Sequence, residues 1–158
     1  MRGKEDNLAE TENSRVWESH SPQETFSIGE ELGRRAAAGQ VYTLIGELGT
    51  GKTVFTQGVA AGLGIPGPVN SPTFTIMQVY EEGRLPFYHF DVYRIGDPQE
   101  MEEIGYEEFF FGEGVCLIEW ADLIPELLPR DHVRITIEKD LEKGFDYRRI
   151  VMKEVRRA

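Results

Sequence analysis

The stretch Val41-Tyr42-Thr43-Leu44-Ile45-Gly46-Glu47-Leu48-Gly49-Thr50-Gly51-Lys52-Thr53-Val54 decides the fold. Its first five residues are a short β-rich apolar run, as in a central strand covered on both faces. The next eight meet the pattern G-x-x-x-x-G-K-[ST] in full, through Gly46, Gly51, Lys52 and Thr53. A helical stretch follows from Lys52 to about Leu63, stopped by Gly64 and Pro66. Glycines between a strand and a helix let backbone N–H groups close on phosphate oxygens, and the helix points its positive end at the same anion. Lys52 adds a point charge towards the β- and γ-phosphates of a nucleotide, and the Thr53 hydroxyl is the expected magnesium ligand. A glycine-rich turn that only enters a helix has no need of Lys-Thr at that offset. A chance match in a chain this long is roughly a one per cent event at ordinary residue frequencies.

Towards the N-terminus, Ser21-Pro22-Gln23-Glu24 has a capping serine, a proline at the first helical position and a glutamate three residues after the cap. It predicts a helix to about Ala38, closed by Gly39. Residues 1–13 are polar and without periodicity, and read as a disordered tail before one domain, 14–158. Towards the C-terminus, Gly64 to Pro72 is a loop. Thr73 to Tyr80 and Leu85 to Tyr93 read as a hairpin around Glu81-Glu82-Gly83-Arg84. Asp97-Pro98-Gln99-Glu100 opens an acidic helical region reaching about Phe111. Val115 to Ile118 is a buried strand ending at Glu119, and His132 to Glu138 and Arg148 to Val155 pair through a turn around Gly144. The expected architecture is an α/β, P-loop NTPase-like three-layer fold with a mixed sheet that contains antiparallel strands.

The balance of 28 acidic and 17 basic side chains gives a net charge of -11, which repels polyanions at long range and argues against direct, tight nucleic-acid binding. The C-terminal tract Arg148, Arg149, Lys153, Arg156 and Arg157 is the local exception, either a contact for RNA or an acidic partner or, the favoured reading, a solvated strand face and tail. Cys116 is the single cysteine, without a zinc pattern, so a reducing, cytoplasmic compartment is expected. No apolar run suits a signal peptide or a membrane span, and no membrane association is expected.

A phosphate loop alone holds phosphate; turnover also needs a carboxylate from a neighbouring strand. Glu119 leaves a strand at its carboxyl end, where open α/β sheets bind ligands. Asp91 lies in His89-Phe90-Asp91-Val92-Tyr93-Arg94, where strand alternation puts His89, Asp91 and Tyr93 on one face. The bland alternative for both carboxylates is a strand-end ion pair with Arg94. Thr73, within Ser71-Pro72-Thr73-Phe74, stands where other P-loop proteins sense the γ-phosphate, or else is a capping hydroxyl in a proline turn. Trp120 is a core aromatic, the reading the sequence favours, or a stacking platform beside the nucleotide. His20 and His132 read as structural, and Cys116 as a small buried apolar group.

On Gly46 to Thr53, Ser71-Pro72-Thr73-Phe74, His89 to Arg94, Asp97 to Glu100, Ile104-Gly105 and Ile118-Glu119-Trp120, in that order and spacing, the chain resembles the TsaE (YjeE) family. The resemblance covers about residues 16–155. It implies an ATPase of tRNA threonylcarbamoyladenosine modification that binds ATP and Mg2+, with Thr53 and Glu119 as metal ligands and Asp91 needed for turnover. It further implies weak activity alone and work with TsaD and TsaB, with tRNA reached through that complex. Pro22 and Thr25 would contact the nucleotide base. Glu47, Thr50 and Val54 depart from the commonest family residues, at positions beside the phosphates together with Leu48 and Gly49. The expectation is therefore hydrolysis of ATP to ADP and phosphate. The rivals are a small-molecule kinase and a nucleotide-gated binding module. A GTP switch is disfavoured because no [NT]-K-x-D segment appears.

Overall fold

The computed structural model describes residues 14–47, 49–69 and 76–156. The expected tail at 1–13, Leu48 and Ser71 to Phe74 with Thr73 lie outside the described residues. Seven strands form one sheet: β1 (Ser14–Ser19), β2 (Val41–Ile45), β3 (Met77–Tyr80), β4 (Phe87–Asp91), β5 (Val115–Glu119), β6 (Asp131–Lys139) and β7 (Arg148–Arg156). Their order is β1-β7-β6-β2-β5-β4-β3. The inner four, β6-β2-β5-β4, run parallel, while β7 and β1 on one side and β3 on the other are antiparallel to their neighbours. The mixed sheet and the β6–β7 pairing are as the sequence predicts.

Two helices, α1 (Pro22–Arg35) and α2 (Lys52–Gly62), lie on one face of the sheet. Tyr42 and Leu44 of β2 and Leu117 of β5 pack there against Phe55, Val59 and Leu63. The alternate residues Val41, Cys116 and Ile118 face the other way, under the short helices α3 (Gln99–Glu103) and α4 (Tyr106–Phe110). Burying both faces explains why β5 is apolar without alternation until Glu119. Each fully buried Leu, Ile or Phe contributes about 1.5–3 kcal/mol of transfer free energy, so these strands are the stable floor of the molecule.

Local chemistry sets the helix ends. The Ser21 hydroxyl accepts from Glu24 N at 3.1 Å, and His20 N donates to the Glu24 carboxylate at 2.7 Å, a reciprocal cap. Helix α1 stops at Arg35, three residues short of the expected Ala38, because its final carbonyls are captured from outside. The Arg84 guanidinium donates to Gly33 O, Arg34 O and Ala36 O at 2.7–2.8 Å. The acidic helical region is broken into α3 and α4 by Gly105, whose φ of 73° no continuous helix accommodates.

Helices α1 and α2 touch backbone to backbone. Gly29 and Gly33 of α1 face Gly58 and Gly62 of α2, and a Cβ on any of the four would lie 2.1–2.4 Å from a carbonyl oxygen of the facing helix. The loop at the N-terminus of α2 is thus anchored to α1 with no side chain between.

Candidate nucleotide and metal site

β2 ends at the carboxyl edge of the parallel strands, and the loop from Gly46 to Gly51 turns there into α2. Gly49 and Gly51 take φ of 82° and 99°, a region that strains any other residue. Gly46 has no room for a side chain: a Cβ would lie 2.7 Å from Thr50 Oγ1 and 3.1 Å from Ile137 O. The Thr50 backbone N–H and hydroxyl both donate to Glu47 O, at 3.2 and 2.8 Å, closing the turn. Lys52 and Thr53 are the first two residues of α2, where positive backbone ends gather.

The expected carboxylate stands beside this loop. Glu119 ends β5, is 5 % exposed, and shares its two oxygens between two cations or donors. Its Oε1 is 3.8 Å from Lys52 Nζ and its Oε2 is 2.8 Å from His89 Nε2. A carboxylate only accepts, so Nε2 carries the hydrogen. His89 is 1 % exposed, stacks on Phe87 with ring centroids 6.1 Å apart, and its Nδ1 has no partner among the described residues.

Asp91 pairs in register with Glu119 across β4 and β5, and its Oδ1 accepts from Tyr93 N at 3.0 Å. Burial pushes its carboxyl above the usual carboxylate range, and the Glu119 charge adds to this; the Tyr93 N–H, His89 and Lys52 oppose it. Arg94 is not among the groups acting on that carboxyl, so the bland alternative of an ion pair with Asp91 is not formed and the Tyr93 amide is its partner.

Trp120 takes φ 64°, the one non-glycine residue with positive φ among the described residues. This left-handed step turns the chain from β5 into a 3-10 turn, Ala121–Leu123, and lays the indole under Lys52, whose Nζ is 4.9 Å from the ring centroid. Tyr93 packs on the same indole at 4.8 Å. Trp120 is half-buried, packed on one side against the apolar cluster under α3 and α4. It walls a cleft of about 590 Å³ with Gly46, Thr50, Lys52, Asp122 and Lys139. The ring serves both readings: it packs against the apolar cluster under α3 and α4, while its left-handed backbone turn brings it beside Lys52 and the loop.

Pro22 and Thr25 lie in a separate small hollow of about 90 Å³, with Gly49, Thr50, Gly51, Val54, Asp146 and Arg148. The Thr25 hydroxyl is engaged by Ser19 Oγ at 2.8 Å. The expected base contacts and Trp120 therefore flank the loop in two hollows that share Thr50.

A magnesium ion suits this donor set. No group of three or more His, Cys, Asp or Glu suited to a metal occurs among the described residues, so a closed protein cage is not what the site offers. One buried carboxylate and one threonine hydroxyl beside a phosphate-binding loop are the hard oxygen donors Mg2+ takes when phosphates and water complete its shell.

His89 and Arg148 are the residues that sequence reasoning undervalued. The polar face of β4 signalled His89 without revealing its partner. Arg148, read as part of a solvated basic strand, is half-buried and donates to the loop carbonyls of Gly49 and Thr50. Arg149 does fit the solvated reading, in an exposed pair with Glu138 at 3.0 Å. His132 is buried with its Nδ1 3.0 Å from Pro129 O, and Cys116 is buried with its thiol 3.2 Å from Phe109 O. Among the described residues no helix is long and apolar enough to cross a membrane.

A strand, a glycine loop and Lys-Thr at a helix start, with a buried strand-end carboxylate alongside, define a P-loop protein of the nucleotide-binding class. The family model for "Threonylcarbamoyl adenosine biosynthesis protein TsaE" matches residues 19–150, and the chain belongs to the TsaE family. It is 49% identical over 139 residues to the tRNA threonylcarbamoyladenosine biosynthesis protein TsaE of Bacillus subtilis, covering 88% of this chain and 85% of that one. The protein so named from Treponema pallidum is 44% identical over 119 residues, 75% of this chain and 87% of its own. Among solved structures, Bacillus subtilis YdiB superposes with a TM-score of 0.73 at 41% identity, over 90% of this chain and 86% of that one. The family's role is in tRNA threonylcarbamoyladenosine biosynthesis.

Proposed function

We propose that this chain is the magnesium-dependent ATPase of that modification, splitting ATP into ADP and phosphate to drive the cycle of a TsaD–TsaB transferase complex in the cytoplasm. The observation that carries this reading is the buried Glu119 carboxylate held between Lys52 and His89, with Asp91 in register beside it. A strand-end carboxylate kept for stability alone gains little from being withdrawn from water next to a lysine, since desolvation offsets most of the attraction.

In the proposed reaction, loop amides and Lys52 bind the β- and γ-phosphates. Thr53 and Glu119 hold Mg2+, which when bound supplies neutralisation of charge on those oxygens. Asp91 orients a water and accepts its proton as the water oxygen bonds to the γ-phosphorus and the bond to the β-phosphate oxygen breaks. Burial raises its pKa, the direction that favours a carboxylate acting as a base. Thr73 keeps its expected role as γ-phosphate sensor. Val54, Pro22, Thr25 and Trp120 flank the nucleotide, the first three in one hollow.

The test is phosphate release from Mg-ATP with and without a TsaD–TsaB pair, tRNA entering only through that pair. Partner-stimulated release that is lost in Glu119→Ala and on chelation of Mg2+ supports the reading. Equal rates with and without partners, or an unaffected Glu119→Ala protein, overturn it.

A further inference from the structure

We infer that Arg148 is a positioning residue for the phosphate loop: its guanidinium clamps the carbonyls of Thr50 and Gly49, so that the Gly51 amide stays turned towards the anion and the Glu47–Thr50 turn stays closed. This rests on the nucleotide-binding reading above.

Arg148 opens β7, opposite Ser19 of β1 and Lys139 of β6. Because β7 runs antiparallel to β6, its first residue lies at the carboxyl edge of the parallel strands, where the loop leaves β2. From there Nε donates to Thr50 O at 2.8 Å and Nη2 to Gly49 O at 3.3 Å. Nη1, on the other branch of the fork, donates to Phe145 O at 3.0 Å and Tyr147 O at 2.7 Å. One planar group thus ties the loop to the β6–β7 turn, nearly a hundred residues later in the chain.

The direction of these bonds matters. Thr50 O shares its peptide plane with Gly51 N–H, so holding that carbonyl outward turns this N–H inward, whereas Gly49 O shares its plane with Thr50 N–H, which closes the turn on Glu47 O; an outward carbonyl without a donor is free to rotate. Gly49 and Gly51 give the loop backbone more freedom than any other residue would, so the amide array needs an external brace. Arg148 supplies it with donors in a fixed geometry, whereas a lysine ammonium is a single flexible point that cannot span both loop carbonyls and both turn carbonyls. Arg148 touches no catalytic carboxylate in the structure, so its removal acts on binding and leaves the chemical step.

The experiment compares wild type, Arg148→Met, Arg148→Lys and the exposed control Arg149→Met by steady-state ATP turnover and by amide hydrogen exchange. For both Arg148 variants KM for Mg-ATP is expected to rise about ten- to hundredfold, the range lost when an outer support of a binding group is removed. kcat should stay within about twofold, since the transition-state contacts remain once ATP is bound. Exchange should quicken at residues 49–53 but not in β6, and Arg149→Met should match wild type. Wild-type-like KM in both Arg148 variants, a fall in kcat at unchanged KM, or exchange quickened equally across the sheet overturns the inference. Failure of wild type itself to turn over Mg-ATP defeats the functional reading instead, and the exchange pattern, which needs no nucleotide, then still decides the role of Arg148.

Discussion

His89 Nε2 lies 2.8 Å from Glu119 Oε2, between neighbouring strands whose apolar residues bury both groups. The imidazole fixes the direction of the carboxylate, leaving Oε1 turned towards Lys52. If Glu119 holds Mg2+ as proposed, His89 is its orienting partner, and loss of such a partner typically changes metal affinity or activity about 10–100-fold.

His89→Ala is therefore expected to lower Mg-ATP turnover about 10–100-fold, with a higher Mg2+ requirement measured by magnesium titration at fixed ATP. His89→Gln, whose amide N–H also donates, should recover part of the loss. Wild-type turnover and magnesium dependence in His89→Ala would show that Glu119 needs no support.

Asp91 separates stability from activity. Burial raises its folded pKa above the unfolded value of 3.8, so the ionised carboxylate costs stability once the pH exceeds both values. Asp91→Asn keeps an oxygen for the Tyr93 N–H and removes the charge. The variant should melt above wild type at neutral pH without Mg2+ or nucleotide. That advantage should shrink as pH falls through the ordinary carboxylate range, where wild-type Asp91 is also neutral. Turnover should drop about 10²–10⁴-fold, as for loss of a general base. A less stable Asp91→Asn at neutral pH would show that burial does not penalise the Asp91 charge.

Much of the candidate site's layout is legible in the sequence. The eight residues from Gly46 to Thr53 carry their own geometry, because each glycine answers a steric demand and Lys-Thr a chemical one. Glu119 was legible because a buried strand announces its own end. What local pattern did not carry was partnership across the fold. Nothing near Arg148 in the chain points to Gly49 and Thr50, and Arg84 gives no hint that it closes α1. For Trp120 apolarity gives the contact with the core, and its left-handed backbone, which no local pattern shows, brings the ring to the cleft as well. The expected division at 1–13 and the role of Thr73 fall outside the described residues.

Cys116 is expected to be chemically silent in the native protein. Burial in β5 pushes its thiol from 9.0 up to about 12, so almost no thiolate is present at pH 8. A maleimide or iodoacetamide reagent should label it only after denaturation. The linkage follows: above pH 9 the unfolded chain ionises the thiol and the folded one does not, so stability falls until the folded value is reached. The contribution to this slope approaches about 1.4 kcal/mol per pH unit, and Cys116→Ala should remove it from a denaturation series between pH 9 and 11. Rapid native labelling at pH 8 would mean the strand opens far more readily than its burial implies.

The four glycines between α1 and α2 give the last test. A Cβ at Gly58 would sit 2.2 Å from Phe26 O, at Gly33 2.2 Å from Val59 O, and at Gly62 2.1 Å from Glu30 O. Atoms that near cannot be accommodated by a side-chain rotation, because the obstacle in each case is backbone, so the helices must part by an ångström or more. In an exposed helix Gly→Ala gains about 1 kcal/mol from propensity. Overpacking a close contact costs about 1–3 kcal/mol and sometimes more, and here it has to exceed that gain. Gly58→Ala and Gly33→Ala are expected to be net destabilising in urea denaturation, with the midpoint lowered. Gly96→Ala, whose new methyl would meet only the Glu100 side chain at 3.6 Å, should be close to neutral. Because Gly58 lies six residues into the helix that begins with Lys52 and Thr53, displacement of α2 should also weaken Mg-ATP binding in the Gly58 variant. A Gly58→Ala protein as stable as wild type would mean that the two helices do not meet backbone to backbone, and the anchoring of the phosphate loop through α1 would fall with it.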